Sequence, residues 1–176
     1  MKILKKIFLV VAILIAIPLI AALFIKNEYS VERQIVINKP KHQVFDYVKH
    51  IKNQDHYNVW SMKDPTATKE YKGVDGTVGF VASWDSGEVG KGEQTIKEIA
   101  EGQRIDLGLH FIKPFEGDAA AWMQTHAHSD NATTVSWGMS GRQRYPFNFM
   151  NLFINNMLGK DLEKSLATLK TVLEQQ

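Results

Sequence analysis

The chain is 176 residues long, 44% hydrophobic and 23% charged, with 12 Gly and 5 Pro, which fits one globular domain and excludes a disordered or collagen-like chain. Its 21 basic and 19 acidic residues give a net charge of +2, but Lys2, Lys5, Lys6 and Lys26 flank one apolar run; without those four, 17 basic residues face 19 acidic ones, which excludes the basic stripe a nucleic-acid binder needs. Zero Cys excludes disulfides, thiolate metal sites and a cysteine nucleophile.

From Ile7 to Ile25 no side chain is charged or strongly polar. At about 1.5 Å per residue this run is long enough for the roughly 30 Å hydrocarbon core of a bilayer. Pro18 lies inside it, a kink that a membrane span tolerates. An uncleaved anchor and a secretory signal peptide both begin with basic residues such as Lys2, Lys5 and Lys6, but the run ends Ile20-Ala21-Ala22-Leu23-Phe24-Ile25 without an A-x-A site, which favours the anchor. A soluble core helix would show a polar face. The lysines before the span place the N-terminus in the cytoplasm and the rest outside, periplasmic or extracellular; a domain left on the cytoplasmic face stays open because the asymmetry is small. The expected organisation is a single-pass anchor at 1–26 and one domain at 27–176.

Beyond the anchor, Val31, Arg33, Ile35 and Ile37 alternate with Glu32, Gln34 and Val36, the pattern of a half-buried strand. Asn38 is then a candidate cap, and Pro40 opens a helix with Val44, Phe45, Val48 and Ile51 on one side. Turn formers over 52–66 surround Val59 and Trp60, predicting a short second helix and a loop. Six short alternating segments follow, at Thr68–Tyr71, Thr77–Asp85, Gly92–Ile99, Arg104–Phe111, Ala119–His128 and Thr133–Arg142, the signature of an antiparallel meander. Helical spacing returns after Pro146, with Phe149, Phe153, Met157, Leu158, Leu162, Leu166, Leu169 and Leu173 as the apolar stripe. Gly159 inside it predicts a bend or a close approach to the sheet.

These elements predict an α+β fold in which a twisted, curled seven-stranded antiparallel sheet grips a long C-terminal helix that does not fill it, leaving an apolar cavity. The segments VINKPKHQVFDYVKHIKNQDHYNVW (36–60), WDSGEVGKGEQTIKEI (84–99), TTVSWGMSG (133–141) and NMLGKDLEKSLATLK (156–170) resemble the START-like SRPBCC superfamily, often labelled polyketide cyclase/dehydrase, and its membrane-anchored bacterial members. The resemblance covers roughly residues 30–175. It implies the helix-grip (START/Bet v 1-like) fold and a hydrophobic pocket but no specific reaction, because the catalytic residues of aromatase/cyclases have no matching motif here.

Strand parity puts Val78, Phe80, Ala82 and Trp84 on one face, Ile105, Leu107, Leu109 and Phe111 on another, and Val135, Trp137 and Met139 on a third, all expected to be concave. Phe149, Phe153 and Met157 are expected to close the pocket from the helix. The candidate ligand-binding residues are Phe80, Trp84, Leu107, Leu109, Trp122, His126, Trp137, Met139, Phe153 and Met157, large or adaptable side chains suited to a planar or acyl ligand. For each, plain core packing is the competing reading. His126 and His128 share a strand face with Trp122 and Gln124, but a metal pair needs a third ligand, so no metal or cofactor is expected; facing inward, His126 would serve as a general base or ligand donor. Ser86–Gly92 lacks the Walker spacing and reads as a hairpin at one rim of the mouth, with His56, Tyr57 and Trp60 opposite.

The function expected is membrane-tethered binding of a small hydrophobic or lipid-like molecule. Two alternatives remain open: a cyclase or dehydratase type of enzyme using a pocket His or acid, and an interaction domain with a filled interior. No Ser-His-Asp order, nucleotide fingerprint or HExxH run supports an enzyme by motif.

Overall fold

A computed structural model describes residues 2–176. Helix α1 (Lys2–Ala22) carries Pro18 and stands exposed along its apolar length. Strand β1 (Glu28–Ile37) leads into α2 (Lys41–Lys49), a 3-10 segment (Ile51–His56) and the short α3 (Val59–Lys63). Six strands follow: β2 (Thr68–Lys72), β3 (Val81–Ser86), β4 (Gly90–Ala100), β5 (Arg104–Lys113), β6 (Gly117–Ser129) and β7 (Ala132–Arg142). A 3-10 turn at Phe147–Met150 then opens α4 (Asn151–Glu174).

All seven strands form one sheet in the order β1-β7-β6-β5-β4-β3-β2, antiparallel throughout. The meander β2 to β7 runs in sequence order, and α2 and α3 carry the chain from one edge of the sheet to the other. Register shifts at Ile96/Glu98 and Ala127/Ser129 add twist, which curls the sheet. This is the helix-grip, Bet v 1-like arrangement.

The core lies at one end of the grip. Leu162, Leu166, Leu169 and Leu173 of α4 recur with the helical period and pack with Ile37, Val44, Val48, Ile105 and Val135, all nearly inaccessible. Burial of each leucine contributes about 2 kcal/mol, enough to fix the second half of α4 to the sheet. The buried hydroxyl of Ser165 accepts from the Val59 N–H, tying α3 to the same helix.

Three local expectations are corrected. β3 begins at Val81, not Thr77, because residues 77–79 form a turn in which Gly79 adopts a positive φ of 89°; Val78 is consequently exposed. Asn38 does not cap α2, whose N-cap is Pro40; the Asn38 N–H instead donates to Glu174 Oε1 (2.7 Å). The inward stripe of α4 runs Ile154, Leu158, Leu162 and Leu166, so Phe153 and Met157, one position off it, are exposed, and Phe149, in the 3-10 turn before the helix, is only half-buried.

Candidate ligand cavity

The first half of α4 runs along β1, where Arg33 meets Asn155 and Gly159, while Ile154, Leu158 and Asp161 face a space that the helix does not fill. The space left is a cavity of about 1690 Å³ enclosed by α3, the first half of α4 and the concave faces of β3–β7. Its floor is built by strand alternation: Leu107, Leu109 and Phe111 of β5, Ala121 of β6, and Trp137 and Met139 of β7. Trp84 stands edge-on to Phe111 with ring centroids 6.2 Å apart, and Trp60 edge-on to Trp137 at 6.3 Å. Such pairs present rigid apolar walls at low entropic cost.

One polar cluster interrupts the apolar wall. The Asn58 side-chain oxygen accepts from the Trp60 N–H as the cap of α3, so its amide nitrogen must donate, and it does so to Gln54 Oε1 (3.1 Å). Gln94 Nε2 donates to the same oxygen (3.0 Å). Gln54 Nε2 is thereby left as a buried donor with no partner, as is Trp137 Nε1. Nearby, Tyr57 is fully buried, its hydroxyl donating to Met123 Sδ (3.6 Å), and burial pushes its pKa strongly upward, so it stays neutral.

At the rim, Asp64 accepts from Ser86 Oγ (2.6 Å) and Thr66 Oγ1 (2.6 Å), bonds that hold its carboxyl at about 2, below the usual carboxylate range. Asp55 pairs with Lys69 (2.7 Å) and accepts from the Tyr71 hydroxyl (3.2 Å). Burial, with Asp55 beside it, pushes the Tyr71 hydroxyl up to about 12.

Of the residues singled out in the sequence, Trp84, Leu107, Leu109, Trp137, Met139 and Met157 line the cavity. Phe80 is buried but stacks on Tyr71, centroids 6.1 Å apart, outside the lining. Phe153 is exposed and absent from the lining. Trp122 and His126 are corrections: β6 buries Ala121, Met123 and Thr125, so Trp122, Gln124 and His126 project from the convex face. There Trp122 Nε1 donates to Glu32 Oε2 (2.7 Å) beneath the Arg104 guanidinium, 5.3 Å from the ring. Among the described residues no histidine lines the cavity, and no three His, Asp or Glu side chains gather to hold a metal ion. The amide cluster of Gln54, Asn58 and Gln94 was missed; the signal available was Gln94, a polar residue on the inward parity of Gly92 and Ile96. At the rim, the Ser86–Gly92 hairpin contributes Glu88 and Val89, and Trp60 faces it, whereas His56 is exposed and Tyr57 lies in the core.

No family model and no curated protein sequence matches the chain. Solved structures do. Norcoclaurine synthase from Thalictrum flavum, in complex with dopamine and hydroxybenzaldehyde, is 8% identical and superposes with a TM-score of 0.63 over 85% of this chain and 88% of that one. Ara h 8.0201 is 11% identical, with a TM-score of 0.59 over 85% and 99%. A protein from Nitrosospira multiformis is 17% identical, with a TM-score of 0.58 over 81% and 94%. Likeness at these identities establishes the Bet v 1-like fold.

Proposed function

We propose that the protein binds a small hydrophobic or amphipathic molecule, of the acyl-chain class, in the cavity between α4 and the sheet, while α1 tethers it to a membrane. The observation that carries this reading is the cavity itself: half-buried Trp84, Phe111, Met139, Ile154 and Leu158 face it above the packed floor of Leu107, Leu109 and Trp137. Expelling water from that surface drives binding, and a few polar groups suffice to orient the ligand. The amide cluster at Gln54 is the polar end of the wall. Gln94, the half-buried member of that cluster, is the amide placed to meet a polar group of a ligand.

Tethering is supported by the uncharged run of α1, by its exposure along its length and by the lysines preceding it. The same lysines favour a domain outside the cytoplasm. Norcoclaurine synthase holds two small aromatic molecules on this fold. An enzymatic reading built on a pocket histidine has lost His126 to the convex face, and the open cavity speaks against a packed interior.

The test places the full chain in lipid nanodiscs and titrates a brominated fatty acid while reading tryptophan fluorescence. Trp60, Trp84 and Trp137 line the cavity, so saturable quenching at a one-to-one stoichiometry is expected. Quenching that never saturates, with no small molecule retained in native mass spectrometry, would remove the binding proposal.

A further inference from the structure

The strand register gathers one set of loops at the end of the domain from which α1 leaves. β1 starts at Glu28 opposite Arg142, the last residue of β7; Phe111 near the end of β5 faces Gly117 at the start of β6; Ser86 at the end of β3 faces Gly90 at the start of β4. The β5–β6 turn, the β3–β4 turn and the β7–α4 connection therefore lie at the end of the sheet from which α1 leaves. Every exposed phenylalanine outside α1 among the described residues belongs to this end: Phe24 (85%), Phe115 (80%), Phe147 (61%) and Phe153 (53%). Of the exposed apolar residues in the cavity lining, Phe115, Tyr145, Phe147 and Met150 lie at this end, with Met157 further along α4 and Tyr71 on β2, so one opening of the cavity faces the end from which α1 leaves.

The link between α1 and the domain is pinned. Asn148, almost fully buried, donates its side-chain amide to the carbonyls of Ala22 (2.7 Å) and Ile25 (2.8 Å), and Asn151 donates to those of Lys26 (2.9 Å) and Asn27 (3.0 Å). These carbonyls belong to the end of α1 and the residues just after it, which a helix leaves without internal partners. With both asparagines bonded, α1 leaves the domain in a set place, beside the exposed phenylalanines.

We propose that this end is a docking surface for a phospholipid bilayer, with Phe115, Phe147 and Phe153 seated in the membrane interface and the cavity mouth held against the lipid. The proposal rests on reading α1 as a span. Continuity is the argument for the occupant: the polypeptide enters the membrane at Ala22, and the exposed phenylalanines lie at that same end of the domain. Charges of both signs border the rim, Lys26, Lys113 and Arg144 beside Glu28 and Glu116, which suits a zwitterionic surface. Exchange of an acyl ligand then runs directly between bilayer and cavity, without a passage through water.

The chain lacks cysteine, so single cysteines can carry an environment-sensitive fluorophore. Full-length Phe115→Cys, Phe147→Cys, Leu14→Cys and Asp130→Cys are reconstituted into phosphatidylcholine vesicles containing lipids with a nitroxide near the headgroup or at mid-chain. Asp130 lies in the β6–β7 turn at the opposite end. The expected result is quenching at 115 and 147 by the shallow nitroxide, at a depth of about 5–10 Å, deeper quenching at 14 and none at 130. Quenching at 14 with none at 115 and 147 overturns docking and leaves the anchor standing. No quenching at 14 overturns the anchor, and docking with it. In the Asn148→Ala, Asn151→Ala background, quenching at 115 should fall while that at 14 persists; an unchanged signal at 115 overturns the role of the clamp.

Discussion

The guanidinium of Arg33 on β1 occupies the space where a side chain on Gly159 of α4 would stand: a Cβ there would overlap Nη2. Arg33 is held in place by Glu163 and by the Asn155 carbonyl (3.1 Å) and side chain (3.2 Å). Of the two readings open for Gly159, a bend or a close approach to the sheet, the structure takes the second, and α4 continues unbroken through it.

This contact gives a double-mutant test. Ala is about 1 kcal/mol better than Gly inside a helix. With Arg33 present, Gly159→Ala should gain nothing or lose stability, because the guanidinium must leave Glu163 and Asn155. In an Arg33→Ala background the same substitution should stabilise by about 1 kcal/mol, a coupling within the range seen for residues in contact. Denaturant midpoints measure both; equal effects in the two backgrounds would mean that Arg33 does not restrict the helix.

The two faces of the sheet should separate in ligand binding. Trp84 stands in the cavity wall, so Trp84→Ala removes apolar contact worth about 1–2 kcal/mol and should weaken brominated fatty-acid affinity roughly tenfold. Trp122→Phe and His126→Ala act on the convex face and should leave affinity within about twofold of the parent. A loss at either convex position comparable to that at Trp84 would contradict the placement of β6.

Most of the fold was legible because its periods are clean. Ile105, Leu107, Leu109 and Phe111 alternate without exception on β5, and the leucines from 162 to 173 keep the helical spacing. Parity failed on β6 because Ala119, Ala120 and Ala121 carry no contrast between faces, so the large aromatic at 122 drew the inward assignment. Its outward position is stabilised by groups distant in sequence, Glu32 and Arg104, and by Gly138, whose missing side chain leaves room for the indole ring. Asn148 and Asn151 were invisible for a similar reason: they satisfy carbonyls more than a hundred residues earlier.

His110 and Asp118 face each other across β5 and β6, with Nδ1 2.9 Å from Oδ1, next to the turn that carries Phe115. The hydrogen bond to Asp118 raises the His110 pKa, opposed by partial desolvation. A raised folded value means that the stabilisation is full below the ordinary histidine value of about 6.5 and is lost as pH rises through the folded one. Imidazole proton shifts followed by NMR should titrate above the ordinary value and move downward in Asp118→Asn. An identical titration in the two proteins would exclude the pair as the cause.

Asp64 carries the opposite sign. Its carboxyl binds the Thr66 N–H (3.0 Å) and hydroxyl on one side and Ser86 on the other, joining the α3–β2 loop to the end of β3 at the cavity rim. Hydrogen bonds from Ser86 first and Thr66 second hold it at about 2. Because the folded value is depressed, the contribution is present above the unfolded carboxylate value of about 3.9 and disappears as pH falls through the folded one. The protection of the Thr66 amide relative to its intrinsic exchange rate should therefore hold near neutrality and fall on acidification within that window. Asp64→Asn keeps one acceptor oxygen but no titrating charge, so its exchange should be faster at neutral pH and should lack the acid-induced step. A step surviving in Asp64→Asn would assign the rim's acid sensitivity to another carboxylate.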